Sequence, residues 1–362
     1  MATIDASPEL KQILSHYALG DLVGYERDAR GTVNTSYAIE CSAGGEIKRY
    51  FLRRYKAGIK EEELLCEHSL LNHLLEKNFT LVPRVYATRE GGTYVRAGGD
   101  GPIFYAIFDF LEGEDKYTWI DPHCDAVEIA SAAATLAGYH QAVAGWTPLG
   151  LRQEPKIIDL LPTLPGLIER LLAHSRNTEF DDCLADHHSL IIRHLQRVLE
   201  ALHQPQYRSL PELMIHCDYH PGNLKFANGR VVAMFDFDWS KVDARCFDLG
   251  LTLVYFFSSW AAEDNGALDL AGLALFLSSY QGALLAPGGA GGLSLLEQAA
   301  LPELIAAGNL YVMNWTLLDY DRKPAEVQEY LGYLRHHIGM ISWLDERRNQ
   351  LRLEQAINLA CA

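Results

Sequence analysis

The chain has 362 residues, 49% of them hydrophobic and 22% charged, a composition typical of a globular protein rather than a disordered or fibrous one. Acidic residues outnumber basic ones by 47 to 31, and the formal charge of −16 argues against a nucleic-acid partner or an anionic membrane surface. No stretch approaches the roughly 18 apolar residues of a membrane span. The seven cysteines form no C-x-x-C pair, so we expect a protein of the reducing cytoplasm.

Between residues 21 and 110 the residue pattern predicts short strands and one helix. The segment IKRYFLRRY (47–55) is typical of a strand, being rich in aromatic and apolar residues. The segment KEEELLCEHSLLNHLLEK (60–77) spaces its leucines as on one face of a helix. We therefore expect residues 1–113 to form a lobe with a small antiparallel sheet and a single helix.

The pattern changes after residue 113 to long helical segments, such as AVEIASAAATLAGYHQAV (126–143). One strand-rich island interrupts them at residues 213–238. Residues 114–362 are therefore expected to form a larger, mainly helical lobe, and the fold class is predicted to be α+β with two lobes.

The 213–238 island, LMIHCDYHPGNLKFANGRVVAMFDFD, carries the residues best suited to chemistry. Its Asn228-Gly229 dipeptide predicts a two-residue hairpin turn, because both central residues of that turn need positive φ. Counting along this hairpin brings Asp236 beside the loop that holds Asp218 and Asn223. Phosphoryl transfer needs such a set, with Asp218 as the base and oxygens of the other two on Mg²⁺. For each residue alone, the alternative is a turn cap.

The sequence HCDYHPGN (216–223), followed by VVAMFDFD (231–238), resembles the catalytic loop and metal-binding Asp of the aminoglycoside phosphotransferase and choline kinase superfamily. This resemblance implies a protein-kinase-like fold in which Asp218 is the catalytic base and Asn223 and Asp236 bind the metal. Phe-Asp follows Asp236, where protein kinases have Phe-Gly. The overall layout is most similar to type II homoserine kinases.

The resemblance also implies two supporting residues. The segment VDARCFDLG (242–250) is similar to the family segment whose Asp, here Asp248, braces the catalytic loop from the start of a helix. A carboxylate favoured by the helix dipole is a compatible interpretation of that residue. His216 opens the loop motif and is expected to support it in the same way.

The 60–77 helix places Glu67 on its buried face, where an unpaired carboxylate would be costly. The 47–55 strand offers Arg53 or Arg54 as its partner, an arrangement that matches the strand cation and helix Glu of kinases. The family resemblance favours Arg53, although most kinases have Lys there. The alternative is two solvent-facing arginines and a partly exposed Glu.

The resemblance further implies the residues that contact ATP. GTVNT (31–35) lies where the family has its phosphate-covering loop, although an ordinary hairpin turn explains this single glycine as well, and FYAIFDFLEGE (104–114) resembles the hinge that contacts adenine. The expected ATP-contacting residues are Gly31, Thr32, Asn34, Thr35, Arg53, Glu67, Asp109, Phe110 and Leu111.

The expected activity is ATP- and Mg²⁺-dependent phosphorylation of a small-molecule alcohol: an amino alcohol, hydroxy-amino acid, amino sugar or aminoglycoside. Aromatic residues such as Trp119 and Trp260 could bind a cationic acceptor through cation–π contacts, or could simply form core. Two alternatives are a stress-response-type protein Ser/Thr kinase and a nucleotide-sensing pseudokinase. The residues expected to contact the acceptor are Asp238, Tyr219, His220, Trp315 and Asp319.

Overall fold

The computed structural model describes residues 8–28, 33–98, 101–120, 122–202, 204–286, 291–323 and 325–361. The chain divides into two compact units. None of the helices in these ranges combines the length and the apolar character needed to cross a membrane. The first unit comprises Met1–Gly113, Pro148–Arg152 and Val232–Asp238, and the second comprises Glu114–Thr147, Gln153–Val231 and Trp239–Ala362.

The first unit is built on a five-stranded antiparallel sheet with the strand order β1-β2-β3-β5-β4. A first helix, α1, packs its apolar residues into a core with the sheet, and the sequence analysis did not predict it. The predicted second helix, α2, is present and buries the face that carries Glu67. The elements are α1 (Pro8–Ser15), β1 (Asp21–Asp28), β2 (Thr35–Ala43), β3 (Glu46–Arg54), α2 (Glu61–Glu76), β4 (Val95–Ala97) and β5 (Ile103–Asp109).

The second unit is mainly helical, as expected for an α+β chain with a helical C-terminal part. Its helices are α3 (Ala126–Ala142), α4 (Ile157–Leu160), α5 (Leu164–Ala173), α6 (Glu179–Ala201), α7 (Gln204–Tyr207), α8 (Arg245–Phe257), α9 (Leu270–Leu285), α10 (Leu295–Arg322), α11 (Val327–Asp345) and α12 (Arg347–Cys361).

Four short strands form two small sheets in the 212–244 segment. Strand β6 (Glu212–Ile215) pairs antiparallel with β9 (Lys241–Ala244), and β7 (Leu224–Ala227) pairs with β8 (Arg230–Met234). The turn between β7 and β8 has φ of 52° at Asn228 and 74° at Gly229, which confirms the predicted hairpin.

Helix α8 packs tightly on α10, and Gly250 permits this close approach. A Cβ atom at Gly250 would lie 2.8 Å from the main-chain carbon of Leu304, closer than real Cβ atoms come. The glycine therefore lets α8 sit deep in the unit, with Asp248 of its first turn fully buried.

Candidate active site

The 216–223 loop leaves strand β6 and ends in a short 3₁₀ turn at Pro221–Asn223. Cys217, the residue before Asp218, has φ of 64°, in the left-handed region that non-glycine residues rarely adopt. Such a conformation costs about 1–3 kcal/mol and persists only where the surroundings impose it, often at functional sites.

Asn223 holds the carboxylate of Asp218 in place. Its Nδ2 donates to the main-chain carbonyl and to Oδ2 of Asp218, both at 2.9 Å, so Oδ1 is left as the acceptor of the amide. The Asp218 side chain is 20% exposed. It is therefore oriented within the loop while still open to a reactant.

His220 lies on the other side of the same carboxylate. The N–H of Gly222 donates to its Nδ1 at 3.0 Å, so in the neutral ring Nε2 carries the proton, and Nε2 lies 3.7 Å from Asp218 Oδ2. Burial would raise the pKa of Asp218, but His220, together with other polar neighbours, outweighs it and lowers the pKa. Asp218 is thus kept as a carboxylate that can accept a hydrogen.

Asp248 holds the start of the 216–223 loop by hydrogen bonds to its main chain. Its Oδ2 accepts from the N–H of His216 at 2.9 Å, and its Oδ1 accepts from the N–H of Cys217 at 2.8 Å. His140 Nε2 donates to Oδ2 at 2.9 Å, and the Tyr280 hydroxyl contacts His140 Nδ1 at 2.7 Å. Burial favours a raised pKa at Asp248, but the hydrogen bond from His140 and the other donors lower it. A buried carboxylate therefore fixes the main chain just before Asp218.

In the first unit, Arg53 of β3 bridges two carboxylates. Its Nη1 lies 2.9 Å from Glu67 Oε1 and 2.8 Å from Asp238 Oδ1, and its Nη2 lies 3.8 Å from Asp236 Oδ1. Arg54 points elsewhere, with Nε donating to the Tyr105 hydroxyl at 3.0 Å. Of the two arginines left open by the sequence, Arg53 is the one that contacts Glu67.

Burial affects the pKa values of both Glu67 and Arg53. Burial raises the pKa of Glu67 to about 7, against the lowering effect of Arg53, and Asp238 raises it further. Burial works against the positive charge of Arg53, but Asp238, Glu67 and Asp236 outweigh it and hold the pKa of the guanidinium well above its usual value. Arg53 thus stays cationic.

A buried hydrogen-bond chain behind Glu67 escaped sequence analysis. The Tyr55 hydroxyl donates to Glu67 Oε2 at 2.7 Å and lies 3.0 Å from His68 Nε2. His68 Nδ1 in turn contacts the Thr93 hydroxyl at 2.8 Å. Burial lowers the pKa of His68 to about 3, so the ring is neutral. The only signal in the sequence was that Tyr55 lies two residues after Arg53 in the predicted 47–55 strand and would share its face there.

The two acidic residues after β8 differ in environment. Asp236 has φ of 64°, and its side chain is 39% exposed. The Asp238 side chain is only 8% exposed, and its Oδ2 accepts from Asn34 Nδ2 at 2.5 Å. Burial would raise the pKa of Asp238, but Arg53 outweighs it and lowers the pKa. Asn34 Oδ1 accepts from the N–H of Lys56 at 3.0 Å.

The other predicted ATP contacts either have partners of their own or lie outside the described residues. Gly31 and Thr32 are outside them, and Thr35 opens β2 opposite Arg54. The carboxylate of Asp109 is already engaged by the Tyr86 hydroxyl at 2.7 Å. The ring of Phe110 lies 3.8 Å under the guanidinium carbon of Arg49, and Leu111 is half-buried.

The predicted acceptor residues of the second unit lie in different settings. Tyr219 is fully buried, and its hydroxyl donates to the Ala132 carbonyl at 2.8 Å, so it packs inside the unit. Trp315 packs against Trp239 with ring centroids 4.6 Å apart. Asp319 is on the surface, 3.5 Å from Arg322.

An aromatic group, defined as Trp119, Tyr255, Trp260 and Tyr333, reaches Asp218 through Tyr255. Trp119 contacts the other three rings at centroid distances of 6.4, 5.1 and 4.8 Å, and all four side chains are partly exposed. The Tyr255 hydroxyl interacts with the Asp218 carboxylate. The sequence analysis named the two tryptophans but missed the two tyrosines, which are distant along the chain.

The donors available suit a hard cation. Asn223 Oδ1 and the half-exposed carboxylate of Asp236 are oxygen ligands of the type that Mg²⁺ prefers. Within the described ranges, no group of three or more His, Cys, Asp or Glu side chains is arranged to hold a metal. Mg²⁺ takes few protein ligands and completes its shell with phosphates and water, so oxygens of these two types suit it. The predicted meeting of Asp236 with Asp218 and Asn223 stays a prediction.

Comparison with known proteins gives consistent matches. A family model described as a phosphotransferase enzyme family (APH) matches residues 24–284. A homoserine kinase of Afipia carboxidovorans is 28% identical over 350 residues, covering 92% of this chain and 93% of that one. A homoserine kinase of Rhodopseudomonas palustris is 27% identical over 345 residues, covering 91% and 92%. Among solved structures, a microcompartment-associated aminopropanol kinase superposes with a TM-score of 0.67 at 17% identity, covering 96% and 99%.

Proposed function

Because this chain belongs to the phosphotransferase enzyme family and is a small-molecule phosphotransferase, we propose that it uses ATP and Mg²⁺ to phosphorylate a hydroxyl group on a small molecule that carries an amine. The observation that carries the proposal is the hold on Asp218. Asn223 orients its carboxylate through two bonds of 2.9 Å, and Asp248 fixes the main chain before it.

In the proposed reaction, Asp218 accepts the proton of the acceptor hydroxyl as the oxygen of that hydroxyl attacks the γ-phosphorus. The bond from the γ-phosphorus to the bridging oxygen breaks, and ADP leaves. Asn223 and Asp236 would hold Mg²⁺, which neutralises charge on the phosphates when bound. Arg53 would contact the phosphates through its guanidinium edge. Catalysis of this type consists mostly of positioning and charge stabilisation.

The aromatic group is an argument for an acceptor that carries an amine. Its rings meet at steep angles, 88° between Trp119 and Trp260 and 85° between Trp260 and Tyr333, so they present faces in several directions. An ammonium group is attracted to such faces by about 0.5–2 kcal/mol. Since Tyr255 of this group touches Asp218, an acceptor bound there would have its hydroxyl near the base. The names of the relatives, homoserine kinase and aminopropanol kinase, fit this class.

Matched acceptor pairs test the proposal. ADP release is measured with homoserine against 4-hydroxybutyrate and with aminopropanol against propanol. We expect the aminated member of at least one pair to show a kcat/KM about 2–30-fold higher. Replacing the aromatic face by Trp119→Leu should raise the KM of that acceptor while leaving the KM of ATP unchanged. Equal kcat/KM within both pairs would refute the amine-bearing acceptor class.

A further inference from the structure

We propose that Asp238 is a positioning residue for the nucleotide, which holds Arg53 and Asn34 in the geometry that receives the phosphates. This assignment differs from the acceptor contact that the sequence suggested for Asp238. It rests on the ATP use in the proposed function but not on the identity of the acceptor.

The first argument is that both carboxylate oxygens of Asp238 already accept hydrogen bonds from protein groups. Its Oδ1 accepts from Arg53 at 2.8 Å, and its Oδ2 accepts from Asn34 at 2.5 Å. Its main-chain carbonyl accepts from the Arg152 guanidinium. Only 8% of its side chain is exposed, against 39% for Asp236. These contacts indicate that the Asp238 carboxylate orients protein groups.

The second argument concerns Arg53. Its Nη1 donates to both Glu67 and Asp238, which fixes the plane of the guanidinium, while Nη2 lies on the side of Asp236 at 3.8 Å. Because the guanidinium is planar, fixing Nη1 also fixes the direction of Nη2. Bidentate recognition of a phosphate requires such a fixed direction. A lysine ammonium is a single point and has no such second edge. The need for two anchors thus explains an Arg where most kinases have Lys.

The third argument concerns Asn34. Its Nδ2 donates to Asp238, and its Oδ1 accepts the N–H of Lys56, so the side chain is held at both ends. Asn34 directly precedes β2, and Lys56 lies two residues beyond β3. One carboxylate therefore ties the start of β2 to the arginine on β3.

The sign of the effect separates positioning from simple charge. If Asp238 were only a nearby negative charge, its removal would strengthen the binding of an anionic nucleotide, because a repulsion disappears. If it positions Arg53 and Asn34, its removal weakens binding. The two interpretations thus predict opposite changes in the same measurement.

The experiment is titration calorimetry of the full chain with a non-hydrolysable ATP analogue and Mg²⁺. We expect Asp238→Asn to raise the dissociation constant by ~10-fold or more. Asn34→Ala should raise it by a smaller factor, and the double variant should bind no worse than Asp238→Asn alone, because Asn34 acts through that carboxylate. The control Glu61→Gln removes an exposed carboxylate of α2 from the same unit and should leave the constant unchanged.

A second readout separates the two halves of the reaction. In steady-state assays with the best acceptor, Asp238→Asn should raise the KM of ATP while the KM of the acceptor stays within ~2-fold. Unchanged or tighter nucleotide binding, or a rise confined to the acceptor KM, would overturn the assignment. If Asp238→Asn does not fold, Asn34→Ala alone decides, and unchanged binding there overturns it as well. A wild-type chain that binds the analogue but phosphorylates no amine-bearing acceptor would sink the proposed function and leave this inference standing.

Discussion

Replacing Asp248 by Asn tests whether the 216–223 loop is held in place from below. The change keeps the shape of the side chain but turns one oxygen into an N–H₂ group. Asp248 accepts three hydrogen bonds, two on Oδ2 and one on Oδ1, in a fully buried position. In either orientation of the new amide, its N–H₂ group faces at least one N–H group that donated to Asp248.

The magnitude follows from counting these bonds. In its better orientation the new amide loses the bond from Cys217, worth about 1.5–3 kcal/mol when the acceptor is charged. The two bonds that remain lose the charge on their acceptor, and each weakens by about 1 kcal/mol. We therefore expect the free energy of unfolding to fall by about 3–5 kcal/mol, in line with breaking a buried charged contact.

The assay combines urea unfolding with steady-state kinetics on the same preparation. Because the Cys217 N–H is released beside Asp218, kcat should fall by roughly 10–100-fold, while the KM of ATP changes little. The pKa of Asp248 is lowered on folding, so its contribution is complete above its unfolded pKa and is lost only as the pH falls through the folded one. The difference between wild type and variant should thus be constant from pH 6 to 8. Unchanged stability would refute the bond count, and lost stability with unchanged kcat would show that Asp248 supports the fold without positioning Asp218 for the reaction.

Four further predictions address other residues. Asp218→Asn should leave the binding of Mg-ATP nearly intact and reduce kcat by roughly 10²–10⁴-fold, the usual contribution of a positioned base, so comparable turnover would remove it from the mechanism. Asp236→Ala should weaken nucleotide binding in calorimetry with Mg²⁺ but not without it, and an unchanged Mg²⁺ dependence would show that the metal role is misassigned. Arg53→Lys and Glu67→Gln should be non-additive in a double-mutant cycle on the KM of ATP, since the two side chains lie 2.9 Å apart; additive effects would argue against their pairing. Burial lowers the pKa of His336 to about 4, so as the pH falls from 6.5 to 4 the unfolded chain binds a proton that the folded chain does not, and the free energy of unfolding should decrease. Urea titrations across this range should show a shallower decrease for His336→Gln, and equal slopes would contradict the assignment.

The features that the sequence predicted are those determined by residues adjacent along the chain. The periodicity of α2 predicted a helix over 60–77 that the structure has at Glu61–Glu76, and Asn228-Gly229 predicted the hairpin, because both depend on local conformational preference. The alternation of side chains along β3 could not decide between Arg53 and Arg54, since a strand presents both faces, and only the family resemblance favoured Arg53.

Contacts between distant residues could not be predicted in this way. His140 and Asp248 are 108 residues apart, and His140 and Tyr280 are 140 apart, yet they form one buried chain of hydrogen bonds. Only the packing of α3, α8 and α9 brings them together, and no local pattern in a single sequence records it. The same holds for His68 and Thr93 behind Glu67.

The left-handed conformation of Cys217 explains why the motif alone does not determine the geometry of its loop. A non-glycine residue pays about 1–3 kcal/mol for this conformation, so the isolated segment would avoid it. Asp248 accepts from the N–H groups of His216 and Cys217, and two such bonds to a buried carboxylate contribute about 3–6 kcal/mol, which exceeds the strain. Asp248 of helix α8 therefore stabilises the main-chain conformation just before Asp218. Gly250 allows α8 to pack close against α10. The orientation of Asp218 thus depends on the packing of a helix whose Asp248 lies some 30 residues further along the chain than the loop motif.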